Sequence, residues 1–324
     1  MIKDSQNISE AYRNSGETFK TIFDEIGKVV VGQKETITHI LIAILCDSHA
    51  LIESNPGLGK TLTVNTLSQI LGLKFKRIQC TPDLMPSDII GTYVIEETGR
   101  GKEFRFEPGP VFANIVLADE INRASPKTQS ALLEAMQEKQ VTVGNNTYAL
   151  ERPFMVLATQ NPIEMEGTFP LPEAQLDRFL LKINLDYPSY EEEMQIVDRY
   201  TGNLKISIHE VMTQDTLMKL QGLVRDVPIS DELKSRVIKI VERTREDKEF
   251  IEYGASPRAS IGLILGAKAR ALIHGRNFVS EEDIQEMAYP VLRHRIMLNF
   301  ESQRKGITHD HVIDKILKHA KHLS

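Results

Sequence analysis

The stretch Ser54-Asn55-Pro56-Gly57-Leu58-Gly59-Lys60-Thr61 carries the first chemical signal. Its spacing is that of a phosphate-binding loop, G-x-x-x-x-G-K-[ST], except that serine opens it where glycine is usual. Such a loop turns backbone N–H groups inward around a phosphate. Glycines allow the close approach, and the helix that follows aims its positive end at the anion. Lys60 would reach the β- and γ-phosphates, and the Thr61 hydroxyl would ligate Mg²⁺. Asn55, Pro56, Gly57, Leu58, Gly59, Lys60, Thr61 and Leu62 form the candidate nucleotide-binding stretch. The bland alternative is a glycine-rich turn ending in an exposed lysine. An apolar strand before the loop and a helix after it favour the phosphate reading.

A second element strengthens it. "NIVLADE" places Asp119 and Glu120 after a continuous apolar run, the pattern of a strand buried on both faces. Ligands of open α/β sheets bind beyond the carboxyl ends of the strands. Asp119 would hold the Mg²⁺ shell, and Glu120 would polarise an attacking water. Acidic pairs at strand ends are often merely solvated, but this one follows a Lys-Thr that needs such a partner.

The elements that position these groups alternate. Helical periodicity runs through Phe19, Ile22, Phe23 and Ile26, breaks at Gly32, and resumes over 33–47. Residues 1–15 are polar and expected to fray. "ALIES", "KFKRIQC", "NIVLAD", "PFMVLATQ" and "LLKINLDY" predict strands, with helices from Lys60 and from Pro126, the latter capped by Ser125. This alternation predicts an α/β fold with a parallel sheet covered on both sides. Two hairpins, 91–109 and 140–150, interrupt it. Beyond Tyr187-Pro188 helical patterns take over, opening with a possible capping box at Ser189 and Glu192. We therefore expect an α/β core over 1–188 and a helical domain over 189–324.

Composition narrows the function classes. The chain has 324 residues and a formal net charge of −6, which counts against a dedicated nucleic-acid binder. Cys46 and Cys80 stand far apart with no metal-ligand spacing, which suits a reducing cytoplasm. The polar N-terminus is unlike a signal peptide, and no apolar run approaches the ~20 residues of a membrane helix.

Asp119-Glu120 with "INRAS", then "ATQNPIEMEGTFPLPEAQLDRF" at 158–179 and "GASPRAS" at 254–260, closely resembles the MoxR family of AAA+ ATPases. The resemblance spans nearly the whole chain, from "VVVGQ" to "VLRHRI". It implies an α/β fold, an AAA+ αβα P-loop core with hairpin inserts and a helical lid. Asn161 matches the sensor-1 position, where a polar side chain orients the attacking water. A turn asparagine before Pro162 is the plainer reading. Arg178 matches the arginine finger, which stabilises charge on the transferred phosphoryl group of a neighbouring subunit. A surface arginine paired with Glu173 or Asp177 is the alternative. Arg258 matches sensor 2, in the first turn of a helix capped by Ser256. Arginine is unfavourable there against the macrodipole, and a phosphate in front of it would remove the conflict. Val30, Val31 and Gly32 match the segment lining the adenine pocket. Related sequences usually carry glycine where Ser54 stands and often alanine where Gly59 stands. The hairpins resemble inserts shared with MCM helicases, which makes Tyr93, Arg100, Phe104, Lys102 and Arg105 candidates for substrate contact.

The resemblance implies a Mg²⁺-dependent ATPase assembling as a homo-oligomer, a hexameric ring, with chaperone-like work on a client protein. A protein with a von Willebrand factor A domain is the implied partner. A nucleic-acid motor and a small-molecule phosphotransferase are the competing readings. The first would show DNA-stimulated, salt-sensitive hydrolysis. The second would be a monomer in which Arg178 is dispensable.

Overall fold

The structure, a computed structural model, describes residues 2–98, 101–162, 167–202 and 206–321. Helices α1 (Ile2–Gly27) and α2 (Lys34–Leu45) precede strand β1 (Ala50–Ser54), and α3 (Lys60–Ile70) follows the candidate phosphate loop. The polar start does not end the first helix at residue 16: α1 runs from Ile2. Tyr12 lies on the same buried face as Phe19, Ile22 and Ile26, so tertiary packing carries the helix back through its polar start.

Next come β2 (Phe75–Gln79), the short α4 (Pro86–Ile90), the hairpin β3 (Gly91–Thr98) and β4 (Gly101–Pro108), and β5 (Ile115–Asp119). Helix α5 (Pro126–Glu138) leads into the second hairpin, β6 (Gln140–Val143) and β7 (Asn146–Ala149), followed by β8 (Met155–Gln160). The turn α6 (Glu173–Leu176) and β9 (Leu181–Leu185) end the sheet. Its order is β2-β5-β8-β1-β9, and every pairing is parallel. β5 is buried along its whole length, as its unbroken apolar run requires.

From Tyr190 onward the chain is helical: α7 (Tyr190–Thr201), α8 (Gln214–Asp226), α9 (Asp231–Glu246), α10 (Pro257–Ile273) and α11 (Glu281–Leu292). The short α12 (Phe300–Arg304) and α13 (His309–Lys321) complete it. A ribbon of β10 (Ile251–Tyr253) with β11 (Met297–Leu298) also forms; its strands are too short to signal themselves by alternation. The predicted capping box is present, with the Ser189 hydroxyl accepting from Glu192 N–H and the Glu192 carboxylate accepting from Ser189 N–H.

Two clusters build the interior. Ile52, Leu117 and Leu157 face one that continues through Ile40 into Leu263 and Met287 of the helical part. Leu51, Val116 and Val156 face the other, under α5 and the hairpins. The alternation along β1, β5 and β8 thus points successive side chains into separate cores. Among the described residues, no helix is long and apolar enough to cross a membrane.

Candidate nucleotide site

β1 lies between β8 and β9, so the 54–61 loop emerges among the carboxyl ends of three parallel strands. Gly59 is the N-cap of α3 at φ 74, ψ 17, and Gly57 also has positive φ. Both conformations suit glycine and strain other residues. They swing the backbone around the start of α3, where unpaired N–H groups can meet an anion. Lys60 folds back inside the loop, donating to Ser54 Oγ at 2.7 Å and to the Asn55 carbonyl at 3.1 Å. Burial lowers its pKa, and the charges of Asp119 and Glu120 oppose that shift.

Asp119 ends β5, and register places it opposite Gln79 of β2. Its two oxygens have different partners. Thr159 donates to Oδ1 at 2.7 Å, while Arg77 donates to Oδ2 through Nη2 at 2.6 Å and Nε at 3.2 Å. Glu120 turns sharply away at φ 57, ψ 51, a region costly for a residue with a side chain. The turn is held because Glu120 N–H donates to Thr159 Oγ1 at 2.8 Å. Gln79 Nε2 and Arg123 Nη1 reach its Oε2 at 3.1 and 3.3 Å. Asn161, buried, stands one residue beyond the Glu53–Gln160 pair of β1 and β8, level with Ser54. Sequence reasoning brought Lys60, Asp119, Glu120 and Asn161 to these strand ends. It missed Thr159, Arg77 and Gln79, whose roles depend on cross-strand register.

A cavity of about 350 Å³ opens beside the loop, lined by Val30, Val31, Gly57, Leu58, Leu62 and Tyr200 among others. Val30 and Val31 are buried. Gly32 has φ +65, and a Cβ there would run into the Glu192 carboxylate. Gln33 ties this wall to the loop, its Nε2 donating to the Leu58 carbonyl at 3.0 Å and its Oε1 accepting from Thr63 at 3.1 Å. Helix α7 closes the far side: Tyr200 Oη donates to the Val29 carbonyl at 2.9 Å, and Arg199 to those of Gly27 and Lys28 at 2.8 Å.

Arg178 and Arg258 line a different cavity, of about 250 Å³, with Asp177, Met136 and Ile261. Arg178 is not tied to the adjacent Asp177 carboxylate; its Nη1 reaches the Leu133 carbonyl at 3.4 Å. Asp177 instead accepts from Arg258 Nη1 at 3.2 Å, Ser256 Oγ at 3.0 Å and Arg295 Nε at 2.9 Å. The carboxylate at the start of α10 is therefore Asp177, and it relieves the electrostatic conflict for which the sequence suggested a phosphate.

The match to known proteins follows these same elements. Residues 49–181 match the ATPase family associated with various cellular activities (AAA), and residues 243–316 match the AAA lid domain. Chaperone MoxR1 of Mycobacterium tuberculosis (strain ATCC 25618 / H37Rv) is 43% identical, the match covering 93% of this chain and 81% of that protein. Protein MoxR of Methylorubrum extorquens is 30% identical over 88% of this chain and 90% of its own. The chain belongs to the MoxR family of AAA+ ATPases. YeaC of Bacillus subtilis (strain 168) is 44% identical, covering 92% of each chain. A crystal structure from Cytophaga hutchinsonii superposes with a TM-score of 0.90 at 46% identity, covering 98% and 97% of the two chains. As a MoxR-family member the chain is an ATPase, and its AAA domain binds nucleotide.

Of the hairpin candidates, Tyr93 is used internally. Its hydroxyl lies 2.7 Å from that of Tyr148, whose ring stacks on Phe106 at 4.2 Å, joining the two hairpins. Phe104 stands out, 76% exposed. Lys102 and Arg105 pair with Glu97 and Glu96 at 3.4 Å. Arg100 lies outside the described residues.

Proposed function

We propose that this MoxR-family ATPase hydrolyses ATP with Mg²⁺ at the interfaces of a homo-hexameric ring, and uses the cycle to remodel or mature a partner protein. One observation supports this most directly. The phosphate loop and the Arg178–Arg258 pair line separate cavities of the same chain. A site with both halves then needs a second copy, in the head-to-tail arrangement that closes into rings. Arg178 would be the finger, and Arg258 would join it in trans on the neighbour's phosphates. α7 adds support: Tyr190, Met194 and Val197 lie exposed at helical spacing beside the nucleotide cavity, an apolar surface that a neighbour would cover.

Thr61 and Asp119 would hold Mg²⁺. Two hard oxygen donors suit an ion that takes its remaining ligands from phosphate and water. Direct coordination by Asp119 Oδ2 would displace Arg77. Bound Mg²⁺ would neutralise charge developing on the phosphates. Glu120 would act on the attacking water with Asn161 positioning it, while Val30, Val31 and Gly32 would wall the base. Residues 189–324 would serve as the lid over the 1–188 core. The client would meet the hairpins at Phe104, and a von Willebrand factor A domain protein would be the working partner in the cytoplasm. The acidic balance and the paired hairpin cations disfavour nucleic acid as that client.

Mixing tests the reading. Arg178→Ala and Lys60→Ala chains should each be inactive, and co-assembled rings should regain ATPase activity through interfaces that combine an intact loop with an intact arginine. No recovery in verified mixed assemblies would remove the trans assignment.

A further inference from the structure

The opening position of the phosphate loop is occupied by a serine with a side-chain contact that glycine could not make. We propose that Ser54 is a positioning residue for Lys60, its hydroxyl fixing the ammonium inside the loop in readiness for phosphate. The proposal rests on the reading of this loop as the ATP site.

Ser54 ends β1 and is 4% exposed, so its hydroxyl faces the loop interior. Its oxygen accepts from Lys60 Nζ at 2.7 Å, and its own hydrogen is directed to the Asn55 carbonyl at 3.2 Å. With that hydrogen committed, the lone pairs are left for the ammonium. Lys60 also donates to the Asn55 carbonyl at 3.1 Å. An ammonium has three donors and no acceptor. Two are satisfied within the loop, and the third remains for a phosphate oxygen, so nucleotide entry need break neither contact.

A free lysine side chain has the rotamer freedom of its flexible four-carbon stem to lose. Fixing it in the empty loop reduces what nucleotide binding must still order. Glycine or alanine at 54 would leave the Asn55 carbonyl as the remaining loop acceptor.

The test is equilibrium binding of ATP at pH 7.5 to the full chain and to Ser54→Ala, Ser54→Gly and Ser54→Thr, with kcat at saturating ATP and the thermal midpoint of the nucleotide-free chain. Ser54→Ala and Ser54→Gly should bind about tenfold more weakly, the effect of losing one charge-assisted hydrogen bond. Ser54→Thr, which keeps the hydroxyl, should recover most of that affinity, and kcat should change less than Kd. Native-like Kd in both Ser54→Ala and Ser54→Gly would overturn the proposal. So would Ser54→Thr binding no better than Ser54→Ala, because the hydroxyl would then not be what positions Lys60. Ser54→Gly retains a readout if Ser54→Ala fails to fold, since glycine is the usual residue at this point of the loop. Failure of the native chain to bind ATP would instead reject the ATP site itself.

Discussion

Arg295 grips Asp177, its Nε donating to Oδ1 at 2.9 Å, and so holds the residue immediately before Arg178 against the helical part of the chain. The same guanidinium donates to the carbonyls of Phe179 at 2.6 Å and Leu180 at 2.9 Å, on the other side of Arg178. It also reaches the Val291 carbonyl at 2.6 Å. Its side chain is 3% exposed, and burial lowers its pKa to about 10, partly offset by Asp177. A guanidinium suits this position because its planar fork meets several oxygens at once.

Replacing Arg295 by Met should therefore affect both folding and activity. It leaves the Asp177 carboxylate without its buried partner and the carbonyls of Asp177, Phe179, Leu180 and Val291 without this donor. Breaking such a pair costs about 3–5 kcal/mol. We expect a matching fall in the denaturant midpoint, together with reduced ATPase activity as Arg178 loses its support. An Arg295→Met chain with native stability and turnover would show that the segment around Arg178 is held by other contacts.

Lys60 and Glu120 should separate binding from chemistry. Lys60→Ala should abolish measurable ATP binding. Glu120→Gln should bind ATP but turn it over about 10²-fold more slowly or worse, the usual size of a lost general base. Binding isotherms and phosphate release give the two readouts. Near-normal turnover in Glu120→Gln would remove its catalytic role.

Gly32 offers a steric test of the wall proposed for the base. Gly32→Ala introduces a side chain at φ +65 and forces the Glu192 carboxylate aside. We expect ATP affinity to fall about tenfold and stability to drop by about 1–2 kcal/mol. Adding Glu192→Ala should recover part of the loss by clearing the collision, leaving the backbone strain. The double variant measured beside each single one isolates the coupling; purely additive losses would show that Glu192 does not limit this wall.

Acid should weaken the fold through buried neutral histidines. Burial lowers the pKa of both His39 and His49 to about 4. His49 is fixed as a neutral tautomer, Nε2–H donating to the Met136 carbonyl at 3.0 Å and Nδ1 accepting the Val156 N–H at 2.9 Å. Between pH 6.5 and 4 the unfolded chain binds protons that the folded chain refuses, so stability falls as pH falls through this window. The loss at pH 5 should be about 2 kcal/mol for each histidine. Unfolding free energies at pH 5 and 7, in the native chain and in His39→Gln, measure it. An equal pH dependence in both would exclude His39 as a source.

Much of this protein was legible in its sequence because the signals are local. Gly57 and Gly59 declare a tight turn into a helix through backbone freedom and spacing. Ser125, Ser189 and Ser256 mark helix starts because a hydroxyl can accept an orphan N–H within its own turn. The unbroken apolar run before Asp119 announces a strand covered on both faces. What the sequence left open are relations between distant segments. Thr159 reaches Asp119 only because β5 and β8 pair in one register. Arg77 reaches it only because β2 lies at the neighbouring edge. Asp177 could have paired with Arg178, its neighbour in sequence; tertiary packing gave it to Arg258 and Arg295 instead. Spacing along the chain sets which groups can share a turn. Only the packing of strands and helices decides which charges, far apart in sequence, end within hydrogen-bond reach.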